Sequence, residues 1–277
     1  MTLQQIAKDT CIVRNTAARK GRTTAVAPGT AASRYLHYGR IVLDASEGPL
    51  GFETNEKETG LIGLKGSAQV RTTSKSGTLS FTVGRYDSLY VPRGAAIDMT
   101  PGPDGCDIAE VSAPVDRDYP VQFVAFKTVQ ADPALHLKVG GPSAQRDLNI
   151  LIGKNVDAGR IMAGVTFSAP GNWTSWPPHE HAAMLEEAYL YIDMPAPAFG
   201  LQLVYTDSKE PELATIVREG DVVLMPQGYH PNVAAPGGSI NFLWMMAANR
   251  EVEDRKYGVV NVQPEFAATP SGLDKGR

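Results

Sequence analysis

The chain has 277 residues, 43% of them hydrophobic and 20% charged, the composition of an ordinary globular protein about twice the usual domain length. Its net charge of -4 and scattered basic residues offer no cationic face for a phosphate backbone, so nucleic acid is not an expected partner. No apolar run approaches the roughly 18 residues of a membrane span, and MTLQQIAKDTCIVRN lacks the pattern of a secretory signal, so a cytoplasmic protein is expected. Cys11 and Cys106, the only cysteines, stand far apart without metal-ligand spacing and are read as two reduced structural thiols.

Residues 1–33 are small and polar, with Arg14, Arg19, Lys20 and Arg22 against few acids, and are expected to form a loosely held N-terminal arm. From Tyr38 onward, short apolar or alternating runs recur about every ten residues, the rhythm of an all-β sandwich or barrel. They are GRIVLDA, GLIGLKGSAQVRTT, LSFTVG, DSLYVPRG, IAEVSA and VQFVAFKTV, separated by turn signals such as Glu47-Gly48-Pro49 and Pro92-Arg93-Gly94. A second series reads LNILIG, RIMAGVTFSA, AYLYIDM, GLQLVYTD, LATIVREGDVVLMP and INFLWMMAA. No long segment has a helical period. Residues 131–145, with Pro133, Gly140, Gly141 and Pro142, are the expected linker. The predicted division is therefore an arm at 1–33, a first barrel at 34–140 and a second at 141–277.

The two halves echo each other, as a duplication would leave them. GRYDSLYVPRGAAIDM and REGDVVLMPQGYHPNV share a glycine, an aspartate, a strand ending in proline and a glycine turn. Aligned on that turn, Ala95 and Ala96 stand where the second half has Tyr229 and His230. The first half is thus predicted to keep the turn and lack the histidine.

Of five histidines in the chain, three fall in two motifs of the second half. His179 and His181 follow Pro177 and Pro178, which favour an extended entry, and residues two apart on a strand face one way. Both imidazoles are then presented together, as a chelating pair requires. Downstream, EAYLYID alternates, with Glu187 on the polar, aromatic face of Tyr189 and Tyr191 and Glu186 on the other. Parity favours Glu187 as a third ligand, and Glu186 takes its place if a bulge intervenes. His230, at a strand-end turn, is the fourth candidate. Three imidazoles and a carboxylate suit Zn, Mn, Fe, Co or Ni without choosing among them.

At these residues the sequence resembles the cupin superfamily, whose metal pattern is HxH, a glutamate and a later histidine. Within it, GNWTSWPPHEH, EEAYLYI, FGLQLVYTD and EGDVVLMPQGYHP resemble the 5-deoxy-glucuronate isomerases of bacterial inositol catabolism. EAYLYIDM and FLWMMAAN look more like the related 4-deoxy-5-ketouronate isomerases of pectin breakdown. The resemblance is strong over residues 145–250, while over 35–130 the layout matches better than the residues do. It implies an all-β bicupin of two tandem jelly-roll barrels, with metal only in the C-terminal one. It places His179, His181, Glu187 and His230 as metal ligands, and implies a cytoplasmic, homo-oligomeric enzyme acting on a sugar acid.

An aldose-ketose isomerisation moves a proton between adjacent carbons through an enediolate, whose charge a divalent metal stabilises. A proton carrier is also needed, and Glu180, Tyr205 and Tyr229 are the candidates close to the motifs in sequence, with Glu186 beside them. Arg218, Lys154 and Arg146 are the candidate cations for the substrate carboxylate. The same ligand set also suits an iron dioxygenase or a sugar-sensing cupin without turnover.

Overall fold

The computed structural model describes residues 4–269. The helices among them are two short α-segments, Lys8–Cys11 and Phe126–Ala131, and the 3-10 turn Pro264–Phe266; strands form the rest of the regular structure. None of these helices is long and apolar enough to cross a membrane. The second series of apolar runs folds as anticipated into Arg146–Ile152, Ile161–Ser168, Leu185–Tyr191, Gly200–Val204, Leu213–Val217, Val222–Met225 and Phe242–Ala248. In the first half, VQFVAFKTV divides into the strand Gln122–Val124 and the helix that follows Ala125.

The first barrel grows from one eight-stranded antiparallel sheet. Its two longest strands, Lys57–Ser74 and Ala96–Pro114, pair along most of their length and carry register shifts between Gly63 and Lys65 and between Gly66 and Ala68. Such bulges bend a strand, so one pair of strands serves both walls of the barrel. The second barrel sets a seven-stranded sheet against a four-stranded one.

Strands at the junction of the two barrels are buried on both faces, and for that reason read as continuous apolar runs rather than alternating ones. Leu61 packs inside the first barrel with Leu89, Ile97 and Ile108. Its neighbour Ile62 faces the other way, into the larger core that contains Ile152, Ile161 and Trp244. Gly60 lies so close to this junction that a Cβ there would stand 2.7 Å from Ile152 Cδ1.

The first strand of the chain crosses to the far barrel, whereas the last strand of the first half stays with its own. Ile12–Val13 pairs with Val222 and Val223 of the second barrel, and Gln122–Val124 pairs with Ser88–Val91 of the first. The aspartates of the echoed motif anchor the segments beside both strands: Asp221 accepts from Asn15 N at 3.1 Å and pairs with Arg14 at 2.7 Å, and Asp87 accepts from Phe126 N at 2.8 Å. Residues 4–33 are therefore not a loose arm: Ile12–Val13 is held on the second barrel, and Gly21–Val26 pairs with His37–Leu43 of the first. The predicted linker likewise contains a strand, His136–Val139, which pairs with Arg146–Ile152.

Two buried carboxylates tie the barrels together reciprocally. Glu58 accepts from Tyr90 Oη and from the backbone N–H of Gly159, Arg160 and Ile161 at 2.6–2.8 Å. Glu186 accepts from the backbone N–H of Arg34, Tyr35 and Leu36 at 2.7–3.0 Å. Each clamps the entry strand of the opposite barrel, and a carboxylate with this many donors tolerates burial that would otherwise be costly.

Candidate metal centre

The three motif histidines converge inside the second barrel. His179 lies on the short strand His179–Glu180, which pairs with Asn261–Val262, and His181 opens the turn that follows. His230 arrives from the turn after Val222–Met225, where Gly228 has φ +82° and a Cβ would stand 2.5 Å from Tyr205 O, so a side chain is excluded there. His179, His181, His230 and Glu187 are 8%, 4%, 1% and 3% exposed. The ligating atoms of the three histidines all lie within 4.8 Å of one another. Glu187 Oε2 is 2.9 Å from His181 Nε2 and 3.1 Å from His230 Nε2.

Backbone carbonyls fix the tautomers. His179 Nδ1 is 2.8 Å from Pro177 O, His181 Nδ1 is 3.2 Å from Leu185 O, and His230 Nδ1 is 3.0 Å from Gly228 O. A neutral imidazole that donates through Nδ1 presents its Nε2 lone pair, the state a metal ligand needs. His230 Nε2 is buried, and its contact with Glu187 Oε2 lacks hydrogen-bond geometry. The site thus gathers nitrogen lone pairs and a carboxylate oxygen with too few protons to share, and this donor set fits a divalent transition metal.

The titration of the group reflects the same crowding. Burial, and then the neighbouring imidazoles, press His179 down to about 3. Burial also opposes charge on His181, but the Glu187 carboxylate outweighs it and holds that ring above the usual histidine range. Burial alone would raise Glu187; the charge and hydrogen bond of His181, and then the nearby His230 ring, carry it down to about 2.

Glu186, one residue along, faces the opposite way and belongs to the junction clamp, as strand alternation requires. No register shift interrupts Leu185–Tyr191 in either of its pairings. In the first barrel the buried residue after the equivalent turn is Ala95, not Ala96, which is exposed. The connection in the second half, residues 226–231, is longer than its counterpart 92–95, so the alignment on Pro-x-Gly slips at that point.

The cluster opens on a cavity with a polar and an apolar side. Arg146, Thr166, Ser175, Tyr189 and Tyr257 supply the polar groups, and Leu148, Leu185, Phe242, Trp244 and Met246 the apolar wall. Trp244 fits there because it pairs with Gly164, where a Cβ would come within 2.2 Å of the indole. Residues 257–260 close one side, and Tyr257 stacks on Trp244 with ring centroids 5.1 Å apart. Arg146 is 6% exposed and donates to Ala144 O and Trp176 O at 3.0 Å each. Ser175 Oγ is 2.7 Å from Tyr189 Oη, and burial holds both Tyr189 and Tyr257 above the usual tyrosine range.

Of the sequence candidates outside the ligand set, the structure brings Arg146 alone to this cavity. Glu180 turns outward and accepts from Ala182 N and Asn261 Nδ2. Tyr229 lines a separate outer cleft with Glu180 and Arg34, and Tyr205 donates to Gln263 Oε1 at 2.8 Å. Lys154 borders a groove with Gln122 and Asn155. Arg218 is exposed over the Phe199 ring. The cavity residues missed from sequence are Ser175, Tyr189, Trp244 and Tyr257. The parity that selected Glu187 already placed Tyr189 on the same face.

Comparison with known proteins follows the same lines. A 5-deoxy-glucuronate isomerase of Geobacillus kaustophilus is 28% identical over 241 residues, covering 82% of this chain and 85% of that one. A crystal structure of an IolB-like protein from Salmonella typhimurium superposes with TM-score 0.79 at 23% identity, covering 93% and 98% of the two chains. Oxalate decarboxylase of Bacillus subtilis, studied for its Mn(II) centres, shares the fold at TM-score 0.62 and 12% identity over 93% of this chain and 80% of its own. Residues 11–265 match the KduI/IolB family. The chain is an all-β bicupin and belongs to that family.

Proposed function

We propose that this protein is a metal-dependent aldose-ketose isomerase acting on a deoxyuronate such as 5-deoxy-glucuronate, in inositol or uronate catabolism. The observation that carries the reading is the convergence of three Nε2-presenting histidines and Glu187 on a cavity that also holds a buried arginine. The name of the Geobacillus kaustophilus relative supports the substrate class. His179, His181, Glu187 and His230 are assigned as the ligands of one divalent ion, Zn, Mn, Fe, Co or Ni. When bound, such an ion supplies Lewis-acid stabilisation of the negative oxygen that develops as a proton moves between adjacent carbons.

The chain's own groups define the rest of the chemistry. Arg146 is assigned to the substrate carboxylate, whose charge a guanidinium matches with a fork of donors. Ser175, Tyr189 and Tyr257 remain protonated, as the raised tyrosine values require, and hydrogen-bond the sugar oxygens. Trp244, Phe242 and Leu148 keep water from the reacting carbons and strengthen each of these contacts. Glu180, Tyr205 and Tyr229 take no part in this reading. A homo-oligomer in the cytoplasm is kept as part of the proposal, and sedimentation velocity tests its assembly. Elemental analysis tests the centre: about one metal per chain is expected, lost in a His179→Ala, His181→Ala double variant, and full retention by that variant would remove the assignment.

A further inference from the structure

The turn that carries His181 and the strand that carries Glu187 are tied together by a residue from the other half of the chain. Arg34 donates through its backbone N and its Nε to Glu186 Oε1 at 2.7 and 2.9 Å, one residue from Glu187. Its Nη2 donates to Asn249 Oδ1 at 2.8 Å. Asn249 in turn donates through Nδ2 to Ala182 O and Ala183 O at 3.0 Å each, and through its backbone N to Met184 O at 2.8 Å. Within that turn the N–H groups of Met184 and Leu185 reach His181 O at 2.9 Å, and Leu185 O holds His181 Nδ1. Glu186 and Asn249 are 4% and 5% exposed, so few alternative partners exist for this chain of contacts.

We propose that Arg34 is the positioning residue of the metal centre: one guanidinium locks the His181 turn against the Glu187 strand and so sets the affinity and geometry of metal binding. The inference rests on the metal reading above. A planar fork holds two acceptors in a fixed relative geometry, whereas the three donors of an ammonium rotate on a flexible stem. The first barrel, which among the described residues has no such histidine cluster, thereby contributes to the metal site of the second. Removing groups that support metal ligands typically lowers metal affinity about 10–100-fold.

The test is chelator competition on purified full-length protein with Zn2+ and Co2+, together with the visible spectrum of the Co2+ form. Arg34→Met is expected to weaken both metals by about 10–100-fold and to alter the Co2+ bands, and Arg34→Lys to fall between it and wild type. Asn249→Ala cuts only the leg to the turn and is expected to act in the same direction, which keeps the test available if Arg34→Met does not fold. Arg22→Met is the control: it removes a two-bond pair with Glu110 in the first barrel and should lower the urea midpoint with metal affinity unchanged. Wild-type affinity and spectrum in both Arg34→Met and Asn249→Ala would overturn the inference while leaving the metal reading intact. A wild-type protein that binds neither metal would overturn both.

Discussion

Replacing Glu58 with glutamine tests whether the reciprocal clamps hold the two barrels together. Glu58 is 0% exposed; its Oε2 accepts from Tyr90 Oη and Gly159 N, and its Oε1 from Arg160 N and Ile161 N. A glutamine has one acceptor oxygen, so whichever way the amide turns, two of those four donors face an NH2 group. Each buried donor left unsatisfied costs about 1–3 kcal/mol, which gives a loss of about 2–6 kcal/mol. That is a large share of the roughly 5–15 kcal/mol that holds a folded protein. Urea denaturation followed by far-UV circular dichroism should show a lower midpoint, or a transition split in two if the barrels separate before they unfold. Metal affinity below the transition should match wild type. A change within about 0.5 kcal/mol, the range of an ordinary surface substitution, would refute the clamp.

Glu187→Gln should abolish metal retention, whereas Glu186→Gln should still load at saturating metal with affinity reduced by about 10–100-fold through the Arg34 contacts; elemental analysis gives the order, and the reverse order would refute the strand alternation. Metal binding requires the His181 proton to leave, and Glu187 raises the pKa of that ring in the metal-free protein. Affinity should therefore fall as pH drops below that raised value, about tenfold per unit for each proton displaced, and level off above it; chelator titrations across pH 5–9 would show it, and a flat profile would contradict it. Arg146→Met should raise KM for a uronate at least tenfold with metal content unchanged, since the lost contact is to a charged group worth about 1.5–3 kcal/mol; steady-state kinetics on the metal-loaded variant provides the check.

Two periodicities make much of the site legible in the amino-acid sequence. The spacing of turn signals marks out most strands of both halves, because a short apolar run buries a face and must then turn. The period of two along a strand brings His179 and His181 together and separates Glu187 from Glu186. The same rule, applied one residue further, removes Glu180, between the two histidines, and Tyr229, beside His230; nearness in sequence is not a shared face. Tyr257 and Arg34 are out of its reach for another reason. They enter the site along segments whose paths are fixed by the rest of the fold: the strand Asn261–Val262 laid against His179–Glu180, and residues 34–36 held by Glu186. The crossing of the first strand is equally hidden, since Ile12–Val13 is too short to signal which barrel it joins.

Metal-dependent isomerisation of a deoxyuronate at the His179, His181, Glu187 and His230 cluster can be observed as turnover without oxygen. Protein stripped of metal, protein reloaded with Zn, Mn, Fe, Co or Ni, and the His179→Ala, His181→Ala variant would each be incubated anaerobically with 5-deoxy-glucuronate and followed by proton NMR in D2O. The ketose should appear with at least one reloaded form and with neither the stripped protein nor the variant, and an exposed proton carrier would leave deuterium at the carbon receiving the proton, whereas a shielded one leaves none. Conversion that survives in the stripped protein and the variant, or turnover that appears only when oxygen is admitted, would contradict metal-dependent isomerisation at this cluster.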